Sequence, residues 1–416
     1  MFLGLNAQTI RDEMRRNPNL TGTNYYAYPG PTQAHLTPAP AGYKPFYISH
    51  YGRHGSRYLI GKYAYNRPYS VLLKADSLGK LTPKGQETLK KVAMLRQEAM
   101  GRDGELTLLG AQQHKEIARR MYQNFPEVFA DSANIDAKST IVIRCILSME
   151  NALQELLTLN PKLKIRHDAS YHDMYYMNFS DKKLTSQAWN EPAKKAYDEF
   201  LKRHRKYEDQ MNLLFNDADY WRNEIDPGQL HYDLYELASN VQSTELRHSL
   251  SLYDIFTEDE LYNEWLVANA YWYVWMGHYT LNGGKQPFTQ RNLLRKIIAE
   301  ADSCLALEHP GATLRYGHDT MVTPLTCLLD LNGYGQAVAD LEQLERIGWY
   351  NVRITPMATN LQFIFYRRAV DDKDVIFKVL ENENEATLPL KTDIAPYYHW
   401  ADFKAHYTKV LDAFSY

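Results

Sequence analysis

Residues 53–57 read Arg-His-Gly-Ser-Arg, one imidazole between two guanidiniums. Groups of the same chemistry recur downstream at Arg144 and at the adjacent pair His318 and Asp319. Each arginine offers a planar fork of donors that matches phosphate oxygens. A histidine among such arginines suits nucleophilic attack on phosphorus, because the positive field favours the unprotonated ring and draws in the anion. Asp319 supplies a carboxylate that can trade a proton. No run of carboxylates or cysteines is arranged to hold a metal, so neither metal nor cofactor is expected. The arginines must then neutralise the charge themselves.

Three strand-like segments have to position these groups. Residues 46–49 (Phe-Tyr-Ile-Ser) read as a strand running into the loop that carries His54. Residues 140–143 (Thr-Ile-Val-Ile) form a β-branched run of the kind buried on both faces of a sheet, with Arg144 at its end. Residues 313–316 form the third strand, ahead of His318 and Asp319. Ligands of open α/β sheets bind beyond the carboxyl ends of the strands, so three such ends imply one shared site. Asp319 has a rival role as a helix start. Thr323 and Pro324 make a good N-cap and first-turn pair, which predicts a helix beginning there and leaves Asp319 upstream and free.

Helical patterns at 82–100 and 107–130, and one opened by Ser148, alternate with the first strands, as in a parallel sheet with crossover helices. From about 165 to 300 the pattern turns helical, at 193–215, 257–280 and 289–307, before strands resume at 312–316, 361–366 and 375–380. A last helix covers about 400–413, and a short one fits 9–19. The Pro- and Gly-rich stretch 25–45 predicts an extended strap rather than regular structure. The expected fold is therefore α/β, a mainly parallel sheet flanked by helices. Its core is discontinuous, 1–165 and 300–416, with a mainly helical cap inserted at 166–299.

A chain of 416 residues has room for two or three domains at roughly 100–200 residues each. Its formal charge of -3 argues against a general nucleic-acid or anionic-membrane binder. No stretch approaches the ~20 apolar residues of a membrane helix. Three cysteines exclude a disulfide scaffold and allow at most one bridge, Cys304 with Cys327 being a possible pair. Residues 1–7 resemble the tail of a signal peptide with a small residue, Ala7, at its end, so an exported protein, periplasmic or in the cell envelope, is expected. Nothing in the sequence sets an oligomeric state.

The stretch Arg53 to Arg57 resembles the Arg-His-Gly-x-Arg signature of the histidine phosphatase superfamily. His318 with Asp319 resembles the His-Asp pair of its acid phosphatase and phytase branch. Gly104 to Thr107 with Gly110 and Gln113, Arg144 and Cys145 with Ser148, and the strands after 361 are also family-like. The resemblance spans about 45–160 and 310–390 and implies a phosphoglycerate mutase-like core. It further implies that His54 attacks the phosphoryl group, that Arg53, Arg57, Arg144 and His318 bind its oxygens, and that Asp319 is the proton donor. An aspartic acid donor implies a preference for acidic pH. The implied partner is a small phosphorylated substrate, a phosphomonoester with phytate as leading candidate. Arg57 followed by Tyr58 is similar to the multiple inositol polyphosphate phosphatases. Those typically carry His-Ala-Glu where this chain has His318, Asp319 and Thr320. A phosphoryl-transferring mutase and a non-catalytic phosphate binder remain alternatives.

Several other residues have plainer readings. Lys62, Arg67 and Lys74 follow the reactive loop and either meet extra phosphates or stand as solvated charge. His167 and His172 fit a solvated loop better than a metal site, and His114 is assigned no role. The aromatic run 265–279 reads as core of the helical cap rather than a platform for a sugar. Most of the 32 tyrosines are expected in a Tyr-rich core rather than on half-buried pocket surfaces.

Overall fold

The computed structural model describes residues 9–416, and the apolar stretch 1–7 lies outside the described residues. Among the described residues eight strands form one sheet: β1 (Lys44–Arg53), β2 (Asn134–Ser139), β3 (Lys164–Asp168), β4 (Gly311–Gly317), β5 (Asn360–Arg367), β6 (Ile376–Glu381), β7 (Asn384–Ala386) and β8 (Tyr398–His399). The order is β3-β2-β4-β1-β5-β6-β7, with β8 also on β6. Pairing is parallel from β3 to β1 and antiparallel from β1 onward. The α/β class holds, with the parallel character confined to one half. Every residue of β4, β5 and β6 is buried, including the polar Arg315, Gln362 and Lys378 among their apolar neighbours.

The run 140–143 is not a strand. β2 ends at Ser139, and the helix Ile143–Leu159 begins where the strand was expected to end. β2 shows half-buried alternation, Ile135 and Ala137 inward with Asp136 and Lys138 outward, and this weak pattern was outweighed by the β-branched run after it. Val142 is the last extended residue, and Ile143 is 68% exposed on the first turn of the helix. Helical spacing then buries Cys145, Met149, Ala152 and Leu156. Arg144 therefore stands in the first turn of a helix rather than on a strand.

The helix at 319 also starts earlier than expected. It spans Asp319–Leu328 with His318 in extended backbone at the N-cap position, so Thr323 and Pro324 lie inside it. Pro324 has no N–H for the Thr320 carbonyl, and Gln290 Nε2 faces that oxygen at 3.5 Å instead. A neighbouring side chain thus lets a proline sit within a helix.

None of the eight strands falls between residues 169 and 310. The stretch expected as one helix over 193–215 is two, Glu191–His204 and Glu208–Leu214, because Arg205 adopts extended backbone. The helices Tyr63–Ser77 and Pro83–Glu98 share an apolar core with Glu208–Leu214 and Pro227–Val241 through Leu72, Val92, Met211 and Leu234. Each such buried side chain contributes roughly 1.5–3 kcal/mol. The Pro-rich strap is tied to the β6–β7 hairpin: Tyr28 Oη donates to Glu383 at 2.7 Å, and the Thr32 amide donates to Asn384 at 2.9 Å. All three cysteines are free thiols.

Candidate active site

β1 and β4 end side by side, with Arg53 opposite Gly317. The chain leaves β1 held by two backbone hydrogen bonds: the His54 amide donates to Gly317 at 2.9 Å, and the Ala358 amide donates to the His54 carbonyl at 3.0 Å. The loop then passes under the helix Leu108–Asn124 at a place where only glycine fits. A Cβ on Gly55 would lie 2.6 Å from the Gly110 Cα, and one on Gly110 would collide with the Ser56 carbonyl. Gln113 accepts from the Ser56 amide at 2.8 Å, and Ser148 Oγ accepts from the Gly55 amide at 3.1 Å while donating to the Arg144 carbonyl at 2.8 Å. Ser148 thereby couples the His54 loop to the helix that presents Arg144.

The ring of His54 is buried, and its Nδ1 lies 2.9 Å from the Gly55 carbonyl. A carbonyl can only accept, so Nδ1 carries the proton and Nε2 keeps its lone pair. Burial, then the charges of Arg53, Arg144 and Arg57, hold the ring well below its usual range. The His54 ring is unprotonated without a separate base.

All three guanidiniums act on that ring, but they are held differently. Arg53 is fully buried, donating from Nη1 to the carbonyls of Asn24 (2.5 Å) and Thr355 (3.0 Å), and its Nη2 forms an ion pair with Asp319 at 2.7 Å. Burial pulls it down to about 10 despite Asp319. Arg57 donates to the Tyr58 carbonyl at 2.9 Å and lies 5.5 Å from the Tyr25 ring centre. Arg144 reaches the Gly104 carbonyl at 3.4 Å. Neither Arg57 nor Arg144 has a carboxylate partner among the described residues. All three arginines also keep a buried Nε–H without an acceptor. Unmet buried donors are costly, and an oxyanion in their midst would satisfy them.

His318 packs edge-on to His54, ring centres 5.8 Å apart, with its Nε2 at 3.2 Å from Thr140 Oγ1. Burial and Arg144 bring it down to about 4. Asp319 is the first residue of its helix, where the helix dipole favours negative charge. Its Oδ1 accepts from the Thr320 amide at 2.9 Å, and its Oδ2 accepts from Asn24 Nδ2 at 2.9 Å and is ion-paired with Arg53. Burial alone would raise this carboxyl, but Arg53 and Asn24 outweigh it and bring it down to about 2.

The six residues expected from sequence thus converge: Arg53, His54, Arg57, Arg144, His318 and Asp319. Asn24 was missed. It enters from the 3-10 segment Pro18–Tyr25, whose buried polar side chains Thr21, Thr23 and Asn24 carry no apolar periodicity to mark them. Thr23, immediately before it, adopts a φ of 48°, rare for a β-branched residue.

Other candidates have partners of their own, are exposed, or are packed in the core. The Arg67 guanidinium is clasped by Asp233, with Nε at 2.6 Å. Lys62 and Lys74 are exposed. His167 pairs with Glu150 at 2.7 Å on the surface, His172 is exposed, and His114 is buried with its ring edge-on to Tyr316. Among the described residues no three or more His, Cys, Asp or Glu side chains gather as metal ligands.

The family model described as "Histidine phosphatase superfamily (branch 2)" matches residues 52–382. The fold is similar to the multiple inositol polyphosphate phosphatase of Bifidobacterium longum. In its complex with inositol hexasulfate the identity is 19%, covering 92% of this chain and 96% of that one, with a TM-score of 0.78. In its complex with phosphate the identity is again 19%, covering 94% and 97%, with a TM-score of 0.79. The phytase of D. castellii is similar at 13% identity, covering 95% of this chain and 85% of that one, with a TM-score of 0.67. Among curated proteins, none matches this chain in sequence.

Proposed function

This chain belongs to the histidine phosphatase superfamily, branch 2, and from that premise we propose that it hydrolyses phosphomonoesters through a phosphohistidine on His54. The observation that carries the reading is the Nδ1 contact with Gly55, which directs the free Nε2 lone pair into a field of three guanidiniums. Nε2 attacks phosphorus and the ester P–O bond breaks. Arg53, Arg57, Arg144 and His318 hold the phosphoryl oxygens. The leaving alkoxide takes a proton from Asp319. The carboxylate then accepts a proton from water, whose oxygen attacks phosphorus and breaks the N–P bond.

Asp319 is ionised in the empty site, so its proton must arrive with the substrate. A phosphomonoester monoanion, which predominates below a second pKa near ~6, carries one. Acidic pH then favours turnover through the substrate's own titration rather than through Asp319.

Inositol hexakisphosphate is the leading substrate candidate. Support comes from the likeness to proteins solved as inositol polyphosphate phosphatases and phytases. Turnover of p-nitrophenyl phosphate from about pH 3 to pH 8 tests the chemistry. Activity without added metal, its loss in His54→Ala, and an acid-labile phosphate on His54 trapped in Asp319→Asn are expected. An inactive wild type would favour the phosphate binder, and metal-dependent activity surviving His54→Ala would overturn the mechanism. Phosphate release from inositol hexakisphosphate, sugar phosphates and nucleotides side by side ranks the substrates.

A further inference from the structure

The aromatic run expected to be core is split by the fold. Trp265, Tyr273 and Val274 are fully buried, whereas Tyr271 is 37% exposed and Trp272 and Trp275 are half-buried. The outer set is a continuous aromatic surface. Tyr271 stacks on Trp189 with ring centres 5.1 Å apart and meets Trp275 at 5.8 Å, and Trp272 meets Trp275 at 5.4 Å. Tyr271 and Trp272 also line a cavity of about 310 Å³ between the helices Glu191–His204, Pro227–Val241 and Glu258–Met276. Its far wall is Asn24 and Tyr25 of the segment that holds Asp319.

The charge in this cavity excludes a phosphate. Arg205 is bound in a fork to Glu264 at 2.8 and 2.5 Å, leaving no uncommitted cation on the wall. Glu236 accepts from Tyr25 Oη at 3.0 Å and retains further acceptor capacity. A hydrocarbon is also disfavoured, since it would strip water from two carboxylates and a guanidinium without replacing any hydrogen bond. Flat aromatic faces beside a carboxylate and a guanidinium suit a ligand with apolar C–H faces and hydroxyl donors at its rim.

We propose that this cavity binds an uncharged sugar residue, its hydroxyls on Glu236 and its C–H face against Tyr271 and Trp272. The site does not depend on the phosphatase reading. Tyr25 joins the two places, its ring facing Arg57 and its hydroxyl on Glu236. The sugar is therefore either a free saccharide or the organic part of a phosphorylated one.

Tryptophan fluorescence of the whole protein, titrated with methyl glucoside, maltose and cellobiose, tests the site. Saturable quenching by at least one of them in the millimolar range is expected. In Trp272→Ala and in Tyr271→Ala, binding should weaken by at least about tenfold, read by calorimetry because the fluorophore changes, with p-nitrophenyl phosphate turnover within about twofold of wild type. Tyr271 is exposed enough that its variant folds even where Trp272→Ala does not. No saturable signal from any of the three sugars would overturn the proposal. So would 4-nitrophenol binding in their place, or sugar binding that survives both substitutions. Repeating the titration in saturating inorganic phosphate separates the sources: a changed affinity marks the sugar of a phosphorylated substrate, an unchanged one a free saccharide.

Discussion

Asn24 Nδ2 donates to Asp319 Oδ2 at 2.9 Å, joining residues 295 positions apart in the chain. The same oxygen takes Arg53 Nη2, whose other nitrogen donates to the Asn24 carbonyl. Asn24 therefore closes a ring with the acid and the arginine that keeps it ionised. Thr23, with its rare positive φ, immediately precedes Asn24 in this ring.

Removing Asn24 should free the carboxylate. A hydrogen bond to a charged group contributes roughly 1.5–3 kcal/mol, so Asn24→Ala is expected to raise the Asp319 pKa from about 2 and to lower kcat/KM by about tenfold or more. Because a donor to the charged form is lost, the acid limb of the pH–rate profile should move to higher pH. An unchanged limb with reduced kcat would mean that Asn24 serves only to hold the segment.

Gly55 and Gly110 predict a steric block rather than an electrostatic one. Neither needs a positive φ here; each is required because a Cβ would strike the opposite backbone. Gly55→Ala and Gly110→Ala should each cost about 1–3 kcal/mol and shift the His54 loop. Denaturant unfolding measures the first effect and p-nitrophenyl phosphate kinetics the second. Wild-type kinetics in both variants would show that the two segments can part without disturbing His54.

The site was legible where chemistry and strand ends coincide. His54 with its two arginines, and His318 with Asp319, stand next to apolar strands whose burial is written in their composition. The helix at 143 was not legible, because four β-branched residues outweighed the half-exposed β2 before them. Nor was the start at Asp319, since a proline that usually opens a helix is tolerated inside this one with Gln290 opposite the freed carbonyl. Asn24 lies in a segment that folds through hydrogen bonds to distant partners, such as Tyr235 Oη donating to the Thr21 carbonyl at 2.5 Å, and such pairing leaves no local periodicity.

Buried histidines set the response of stability to acid. Burial first, with charged neighbours for some, brings His50 and His114 down to about 3 and His318 to about 4, and holds His54 low as well. Their folded pKa values lie below the unfolded value near ~6.5, so the unfolded chain binds more protons between the two. Stability is thus complete above about pH 6.5 and falls as pH drops toward 4 and 3. His114→Phe should remove close to one proton from this slope, whatever its pH-independent cost. Urea midpoints at a series of pH values measure it, and a slope unaltered by the substitution would mean His114 is already charged in the fold.

Arg144 and Arg67 give opposite expectations although both are half-buried cations near the reactive loop. Arg144 has no carboxylate partner and keeps an unmet buried Nε–H, so its charge is available to a ligand. Arg67 is committed to Asp233, which also accepts from Gln229 Nε2 at 2.9 Å. A bidentate guanidinium–carboxylate pair has little left to offer a distant phosphate. Arg144→Ala should therefore lower kcat/KM by at least about a hundredfold for every phosphomonoester, as loss of a transition-state donor does. Arg67→Ala should leave the ratio of inositol hexakisphosphate to p-nitrophenyl phosphate turnover unchanged and lower thermal stability instead, since it strands the buried Asp233 carboxylate. If Arg67→Ala selectively weakened the polyphosphate, the guanidinium would have to leave Asp233 on binding. The extra phosphates would then be read by a residue that the free protein holds in reserve.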